Sequence, residues 1–523
     1  MYHSDSSNLT NLNDQLNIDV DNIKFGITDN FPEEIIQIYY DVIVIGGGGA
    51  GLAASCTAAS LGRSVLLLEK NKHLGGSTSW SVGSVSATNT PHQRKLGIKD
   101  SPLFHWEDYA LFSGKEVRKD NLDLAKIMID EAPQTFDWLL SCGIRFVGPM
   151  PESPHRLPRM HNVVPNSKAF AKRLLIQCNK LGVDTKLGVR IHSLIKIDDK
   201  IVGVMGVDKL GKLNIWRANG GVVLAAGDFS ASAELKSKFA DPSLAKVDPV
   251  NPTSTGDGIQ LGLMAGGCLV NGEHLRGPFM RFVPPIKQHW LQALPTHPFV
   301  TNLIAFAYRT LPAQFLRPFL MRFVTTALAP DAGLWKHGAI LVNMYGYKIS
   351  ADHSQMHISV SKEPEGLAYI IFGKEIAENF SKWPNFISTA PGVAYAYLKD
   401  YKNTRSDLYF EAKDIADLAK KLNVPEMNLR QSLAGHDFSH YGPLYALGPA
   451  KAYVVFTNGG LSVSSDMQVL DSSGNSLKGL YAAGSNGQGG MLLEGHGHHL
   501  LWAFVSGRIA GKNAAFEATD CKN

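Results

Sequence analysis

A glycine-rich turn constrains the fold of this chain more than any other feature of its sequence. The turn follows residues 42–45, a β-branched run that is apolar on both faces, as expected of a buried parallel strand. Its pattern is G-x-G-x-x-G, formed by Gly46, Gly48 and Gly51. The first glycine permits a tight turn, the second lets the backbone approach a pyrophosphate, and the third lets the following helix pack on the strand.

The segments after this turn come in the order that a dinucleotide site requires. Residues 50–61 are small and apolar, which suits a helix whose N-terminal amides face phosphates. Residues 64–68 form a second apolar strand, and Glu69 follows it, 23 residues after Gly46. That is near the spacing at which a carboxylate accepts hydrogen bonds from an adenosine ribose. We therefore predict a doubly wound α/β domain with a dinucleotide site, a purely structural turn being the alternative.

Composition narrows the class of protein. A chain of 523 residues allows two or three domains, and 44% hydrophobic with 19% charged residues is ordinary for a soluble globular protein. The net charge of +4 is small, so we expect no nucleic-acid partner. The five cysteines are scattered without a C-x-x-C pair, which argues against a disulfide scaffold. With no leader-like segment and no long apolar run, we expect a cytoplasmic location.

Later segments repeat the order of strand, small-residue turn and helix. They are the glycine loop at 75–78, GVVLAAG at 221–227 before TGDGI at 255–259, and GLYAAGS at 479–485 before a helix at 500–516. Such repetition is typical of a doubly wound domain that returns to its ligand several times.

Two other regions differ in character. Residues 1–38 are rich in Asn, Asp and Ser, which predicts a mobile tail or a surface strap. Residues 299–328 are dense in Phe, Leu and Met, but Pro312 and Pro318 interrupt any helix long enough to span a membrane. We interpret this region as a wall of a second domain. The alternatives are an apolar substrate mouth and a face in peripheral contact with a membrane, with snorkelling arginines.

Together these segments resemble the FAD-dependent oxidoreductase 2 family, the flavoproteins of the fumarate reductase and succinate dehydrogenase type, which also includes 3-ketosteroid dehydrogenases. The resemblance rests on IGGGGAGLAAS, LEKNKHLGGST, VVLAAGDF, TGDGIQLGLMAGG, GAILVNMYGYK, TNGGL, GLYAAGS and SGRIAG, in family order from residue 41 to about 513. It implies an α/β fold with a discontinuous Rossmann-like FAD-binding domain at 39–272 and 441–523. An α+β capping domain would be inserted at 273–440, with the isoalloxazine where the two domains meet.

The resemblance also implies the contacts to FAD. The family's positions fall on Gly46, Gly48, Ala50, Gly51, Glu69, Lys70, Gly75, Gly76, Ser77, Thr78, Ala226, Gly227, Asp257, Gly484, Ser485 and the amides of His499 and Leu500. Ser485 stands where the family usually has Glu. Members with covalent flavin have a histidine where this chain has Ser77-Thr78, so we expect FAD to be bound non-covalently.

The residues that would hold a dicarboxylate differ from the family pattern. The substrate arginine of fumarate reductases falls on Glu494, their histidine near Gly490, and their acid arginine near Met356. An anion that faced a dicarboxylate would repel it, so a fumarate or succinate site is disfavoured.

The match to 3-ketosteroid dehydrogenases is also partial. Gly497 falls on their ketone-contacting glycine and Tyr109 matches their first tyrosine, but Leu493 and Met356 replace the other two tyrosines. The resemblance therefore concerns the scaffold, and the chemistry must use other side chains.

Desaturation beside a carbonyl needs a donor to the developing enolate oxygen, a base for the α-proton and a flavin for the hydride. The loop at 485–499 supplies carboxylate and imidazole groups, and more distant candidates come from the first and capping domains. The candidates are Glu494, His496, His498, His499, Gly497, Tyr109, His353, His357, Tyr345 and Tyr347. The H-x-H-H cluster has the composition of a metal site, but no second ligand group lies at useful spacing, so we predict no metal.

We thus expect an FAD-dependent oxidoreductase that interconverts C–C single and double bonds next to a carbonyl. We favour desaturation of a small apolar carbonyl compound of the 3-ketosteroid kind, with an external electron acceptor or donor. The alternatives are a fumarate-reductase-like ene-reductase that acts on a small enoate, and a flavin-binding protein with a degenerate site.

Overall fold

The computed structural model describes residues 25–29, 36–114, 119–285, 293–312, 315–317, 321, 325, 328–350, 355–390, 394–437 and 442–518. Among these residues, a nine-stranded mixed sheet forms the centre of the first domain. Seven strands lie in the order Gly26–Thr28, Arg190–Ile197, Lys200–Val207, Leu213–Leu224, Gln37–Ile45, Val65–Glu69 and Asp184–Leu187. Ser476–Ala482 joins this sheet beside Leu213–Leu224, and Gln468–Leu470 pairs with it in turn.

The apolar run before the glycine turn is a buried central strand, as predicted. Gln37–Ile45 pairs in parallel with both Leu213–Leu224 and Val65–Glu69, and Val42 to Val44 are completely buried. Parallel strands are covered on both faces by crossover helices, which explains why the run does not alternate. Part of the amino-terminal region adds an edge strand, because Gly26–Thr28 pairs in parallel with residues 193–195.

Two helices lie in close contact behind the glycine turn. They are Gly49–Ser60 and the long carboxy-terminal helix His498–Glu517, and their contact is lined with glycine and alanine. A Cβ added at Gly507 would lie 2.3 Å from the carbonyl oxygen of Ala50, so only glycine allows this approach. The helix after the glycine turn and the carboxy-terminal helix therefore meet directly behind that turn.

Other helices and a small sheet complete the first domain. The helices are Gly76–Trp80, Pro91–Lys95, Pro102–Ser113, Leu122–Asp130, Ala132–Ser141, Lys168–Lys180, Ala233–Phe239 and Asp257–Met264. The small antiparallel sheet has the order Ser84–Ser86, Met160–Val164, Arg145–Met150. Asn121 caps its helix by accepting a hydrogen bond from the backbone N–H of Leu124.

A second sheet, largely antiparallel, organises the inserted region. Its order is Asp248–Pro249, Leu444–Val454, Leu367–Gly373, Ile340–Asn343, with Phe279–Phe282 and Tyr409–Ala412 also paired to Leu444–Val454. A further small sheet contains Ala329–Pro330, Ser388–Ala390 and Ala394–Ala396. The helices of the inserted region are Pro298–Thr310, Gly333–Lys336, Met356–Lys362, Lys374–Asn379, Leu398–Thr404, Ile415–Leu422 and Glu426–Leu433. The predicted boundary at 440/441 lies before Leu444–Val454, which belongs to this second sheet.

The chain crosses between the two regions through paired ribbons. Leu275–Arg276 pairs with Phe456–Thr457, and Leu269–Val270 pairs with Gly460–Leu461. These crossings place Arg276 beside the carboxy-terminal loop that follows residue 484. None of the described helices has the combined length and apolar character needed to cross a bilayer.

Candidate active site

A cleft opens at the carboxyl ends of the central strands, where doubly wound sheets bind their ligands. It is lined by Ile45, Gly46, Gly48, Gly49, Ala50, Leu68, Glu69, Lys70, Asn71, Gly76, Ser77, Thr78, Val189, Ile191, Ala225, Ala226, Gly227, Asn251, Thr253, Ser254, Asp257, Ala483, Gly484, Ser485 and Ala503. Most of the predicted cofactor contacts are in this set. Gly51, Gly75, His499 and Leu500 are not among the lining residues.

The three glycines of the turn differ in what surrounds them. A Cβ on Gly46 would lie 2.5 Å from the carbonyl oxygen of Ala225, and one on Gly51 would lie 1.8 Å from that of Gly46. A Cβ on Gly48 would meet nothing within 4 Å, because this residue faces the cleft. The turn thus leaves a space of the kind that a pyrophosphate fills against a helix N-terminus.

Glu69 is buried and its carboxylate is held at the rim of the cleft. One oxygen accepts a 2.8 Å hydrogen bond from the backbone N–H of Gly47, and the other accepts one from that of Asn71. The turn and the acid are therefore fixed relative to each other, as a ribose contact requires.

A cation–anion cluster forms another part of the rim. The Lys70 ammonium lies 3.3 Å from the Asp257 carboxylate, and the Arg190 guanidinium lies 3.1 Å from it. Burial alone would raise the pKa of Asp257, but Lys70, a hydrogen bond from Thr255 and Arg190 together hold it below its usual value. Asp257 thus stays ionised at the beginning of its helix.

Polar residues that the sequence did not single out complete the cleft. The Asn251 amide donates hydrogen bonds to the hydroxyls of Ser77 and Ser254, at 2.9 and 3.0 Å. The Asn486 side-chain oxygen accepts a 2.9 Å hydrogen bond from the backbone N–H of Ala226, which joins the carboxy-terminal loop to the central strand. For Asn251 and the hydroxyl groups that it contacts, the one sequence signal was the polar composition of residues 251–255.

The carboxy-terminal loop is held in an unusual backbone conformation. Leu493 has φ +51° although it is buried and not glycine, and Gly497 has φ +98°. A Cβ on Gly497 would lie 2.4 Å from the backbone nitrogen of Ser86. Strained residues of this kind persist where the surrounding structure fixes them, and they cluster at functional sites.

Glu494, a predicted catalytic residue, forms an ion pair with Arg276 across the ribbon that joins the two regions. Both side chains are partly exposed. Arg276 lies within the capping domain predicted from the sequence, but the sequence indicated no role for it. The carboxylate that replaces the family's substrate arginine is thus neutralised by a cation from another element.

His496, another predicted catalytic residue, pairs with Glu152. One Glu152 oxygen accepts hydrogen bonds from the His496 backbone N–H at 2.8 Å and from its Nδ1 at 2.5 Å. Glu152 is buried, and its second oxygen has no hydrogen-bond partner among the described residues. The Glu152 carboxylate can only accept, so Nδ1 donates, and in the neutral form of this partly exposed imidazole Nε2 carries the lone pair.

Three further histidines lie close together in the interior. Ligand atoms of His105, His155 and His498 all lie within 4.8 Å of one another. However, the Arg159 guanidinium lies 2.9 Å from His155 Nδ1 and must donate to it, so a neutral His155 carries its proton on Nε2. A metal ligand needs a free lone pair, so this cluster is better described as a hydrogen-bonded network. Burial lowers the pKa of His155 to about 2 and also lowers those of His105 and His498.

The other predicted catalytic residues lie in different surroundings. Tyr109 is fully buried against His498, and burial followed by the charge of nearby Asp120 raises its pKa well above the usual value. Its phenolate is therefore disfavoured. Tyr345 and Tyr347 are half exposed, in the turn that follows the strand Ile340–Asn343. His353 lies outside the described residues.

Comparison with known proteins bears on what fills the cleft. Residues 41–288 match the family model described as FAD binding domain. The chain is 24% identical to probable fumarate reductase Ifc3 of Shewanella frigidimarina, over 94% of this chain and 76% of that protein. It is 26% identical to the urocanate reductase of Eggerthella lenta, over 91% of this chain and 74% of that one. It is 25% identical to the NADH:acrylate oxidoreductase of Vibrio harveyi, of which it spans only 51%.

Solved structures share the fold. The open conformation of a flavocytochrome c3 fumarate reductase superposes with a TM-score of 0.68 at 20% identity, covering 92% of this chain and 79% of that one. A 3-ketosteroid-Δ4-(5α)-dehydrogenase from Rhodococcus jostii RHA1 superposes with a TM-score of 0.59 at 21% identity, covering 94% and 99%. The open space at Gly48, the fixed Glu69 carboxylate and the polar rim fit FAD, which is the cofactor of this protein.

Proposed function

We propose, from the membership of residues 41–288 in the FAD binding domain family, that this FAD-dependent oxidoreductase interconverts a C–C single bond and a double bond beside a carbonyl. FAD, when bound, supplies or accepts the hydride. His496 exchanges the proton with the carbon next to the carbonyl. The observation that carries this assignment is the hydrogen bond between His496 Nδ1 and the buried Glu152 carboxylate.

Glu152 suits His496 to proton exchange in two ways. It fixes the tautomer, so that Nε2 faces outward with its lone pair, and it stabilises the imidazolium that forms when a proton is taken up. The same imidazolium returns the proton in the reverse direction. His499, by contrast, is partly buried, and desolvation, followed by the charge of Arg276, lowers its pKa to about 3, so it stays neutral at the pH of a cell.

The surroundings of the loop favour an uncharged carbonyl compound. The Arg276 guanidinium is occupied by Glu494, which leaves little positive charge for a substrate carboxylate. Aromatic rings lie beside the same loop, with Phe456 3.9 Å from His499 between ring centres and Phe112 in contact range of Gly495. We propose desaturation of an apolar ketone of the 3-ketosteroid kind, with electrons passed to an external acceptor in the cytoplasm.

Reduction of a small conjugated acid is the second candidate. Relatives of this chain are named as reductases of fumarate, urocanate and acrylate. Arg281 also favours it, because burial and the charge of Arg276 lower its pKa, which places a second guanidinium near the pair. The guanidinium groups of Arg276 and Arg281 beside the single Glu494 carboxylate would leave a net positive charge that attracts the carboxylate of a substrate.

An anaerobic spectroscopic assay separates these candidates. The FAD-loaded protein is mixed with 4-androstene-3,17-dione and other apolar ketones, and loss of the oxidised flavin absorbance is followed. In parallel, the dye-reduced protein is mixed with fumarate, urocanate and acrylate, and reoxidation is followed. Bleaching by ketones alone supports desaturation, and reoxidation by the acids alone supports the second candidate. If neither set changes the spectrum, the protein binds flavin without this chemistry.

A matched pair of variants then tests the assignment of His496. His496→Gln should slow the active reaction by about 100-fold or more, as expected for loss of a general acid–base group. His337→Gln, which changes an exposed histidine of the capping region, is the control. Equal rates in the two variants would contradict the role of His496.

A further inference from the structure

The helix Pro298–Thr310 turns an apolar face to solvent. Phe299, Leu303 and Phe306 are 73%, 59% and 62% exposed, and their spacing places them on one side of the helix. Leu311, directly after the helix, is also exposed. We name these four residues the apolar face. Large contiguous exposed apolar surfaces mark interaction sites in proteins.

The opposite side of this helix explains why the apolar face points outward. Ala305, with Ile304 and Tyr308, packs on Val147 and Val164 of the small antiparallel sheet. The helix is therefore already anchored by its own buried stripe. The apolar face is not needed for that packing, so it is available to a partner.

Positive charge lies beside the apolar face. Residues 274–330 contain six Lys and Arg and no Asp or Glu, although Arg276 pairs with Glu494 and Arg317 with Asp400. Arg309 is exposed at the end of the helix, and the Arg145 guanidinium donates a 3.2 Å hydrogen bond to Asn302 on the helix. Burial lowers the pKa of His92, and the charges of Arg309, Lys95 and Arg145 lower it further, so these cations lie on the same side of the molecule.

An apolar face with positive charge at its edge favours one kind of partner over the others that bind apolar surfaces. A second copy of the chain would bring Arg309 and Arg145 of both copies against each other, with no acid on this helix to pair them. An anionic lipid surface offers apolar depth for the phenylalanines and negative headgroups for the arginines. We propose that the apolar face, with Arg309 and Arg145 at its edge, binds the surface of an anionic lipid bilayer. This inference does not depend on the proposed reaction.

The face is also physically linked to the candidate active site. The Tyr308 hydroxyl lies 3.9 Å from the Met150 sulfur, at the end of the strand Arg145–Met150. Glu152, which holds His496, is two residues further along the chain. The helix that would contact lipid is thus separated by the strand Arg145–Met150 from Glu152, which orients His496.

Vesicle co-sedimentation of the FAD-loaded protein of 523 residues tests the proposal. The vesicles are phosphatidylcholine alone, or phosphatidylcholine mixed with phosphatidylglycerol. We expect binding to the mixed vesicles, weakened at least about tenfold by omission of phosphatidylglycerol or by high salt. The triple variant Phe299→Ser, Leu303→Ser, Phe306→Ser should weaken binding by at least about tenfold as well, because it removes the apolar contacts.

Matched controls and contrary outcomes keep the test decisive. Leu210→Ser with Met427→Ser changes exposed apolar residues elsewhere and should leave vesicle binding unchanged. Flavin absorbance and melting temperature report whether each variant is folded. Failure of the wild type to bind mixed vesicles, or equal binding by the triple variant, would overturn the proposal. So would a concentration-dependent dimer, seen by light scattering, that the triple variant abolishes, because the face would then be a subunit interface.

Discussion

Gly48→Ala tests the placement of FAD with little effect on the fold itself. Gly48 has φ −76° and ψ −172°, an extended conformation that alanine adopts readily. The added Cβ would meet no protein atom within 4 Å and would project into the cleft. We expect the free energy of unfolding of the apoprotein to change by less than about 1 kcal/mol, since Gly→Ala mainly restricts the unfolded chain.

The cost of this substitution should appear in cofactor binding. A methyl group at the turn would push the pyrophosphate away from the helix N-terminus and weaken one charge-assisted hydrogen bond or more. Each such bond contributes about 1.5–3 kcal/mol, so the dissociation constant of FAD should rise about 10- to 100-fold. Quenching of flavin fluorescence during titration of the apoprotein measures this constant.

Gly51→Ala provides the contrast. Its Cβ would lie 1.8 Å from the backbone oxygen of Gly46, so the strand and helix could not keep their packing. This variant should lose apoprotein stability as well as FAD binding. If Gly48→Ala bound FAD as tightly as the wild type, or if it unfolded like Gly51→Ala, the reasoning about the turn would be refuted.

Three further predictions concern the interior and the loop. Glu152→Gln should lower kcat by about 10- to 100-fold, because His496 loses the carboxylate that fixes its tautomer and orientation; an unchanged kcat would contradict the pairing. Burial, and then His92, lowers the pKa of His161 to about 3. Below the pKa that His161 has in the unfolded chain, the unfolded chain takes up a proton and the folded protein does not. The free energy of unfolding therefore decreases as the pH falls toward about 3. Relative to His161→Gln, the wild type should lose about 2 kcal/mol of unfolding free energy between pH 7 and 5 in denaturant titrations. Gly497→Ala should cost about 1–3 kcal/mol by the same measurement, since it combines a φ of +98° with a backbone clash.

The nucleotide-binding unit could be predicted because its determinants are local. Strand, glycines, helix and acid lie within about 30 residues and follow fixed spacing. In other parts of the chain the local sequence pattern predicted the boundaries of the helices less well. The pattern at 105–140 is helical, with Asp120 or Asn121 as a cap, and the structure has Pro102–Ser113, Leu122–Asp130 and Ala132–Ser141, with Asn121 as the cap of the second helix.

The partners of the candidate catalytic residues could not be predicted from spacing. Glu152 is 344 positions from His496, and Arg276 is 218 positions from Glu494. Neither pair has a sequence pattern, because the tertiary fold alone brings them together. The buried Glu152 carboxylate indicates a site only together with the His496 imidazole that contacts it.

The Arg276–Glu494 pair provides a last test of substrate charge. Glu494 occupies the position where the sequence resemblance places an arginine, and Arg276 supplies a guanidinium from the ribbon instead. Glu494→Gln should release this guanidinium while the shape of the loop is kept. Small carboxylates such as fumarate should then bind about tenfold more tightly, because a charge-assisted hydrogen bond becomes available.

Perturbation of the flavin spectrum during titration with fumarate measures this gain, and Arg276→Gln with Glu494→Gln is the control that removes both charges. If Glu494→Gln alone binds carboxylates better, the pair sets the preference of the wild type for uncharged substrates. If the single and double variants respond alike, Arg276 does not face the substrate. The loop would then select substrates by shape, through Leu493, Phe112 and Phe456, and not by charge.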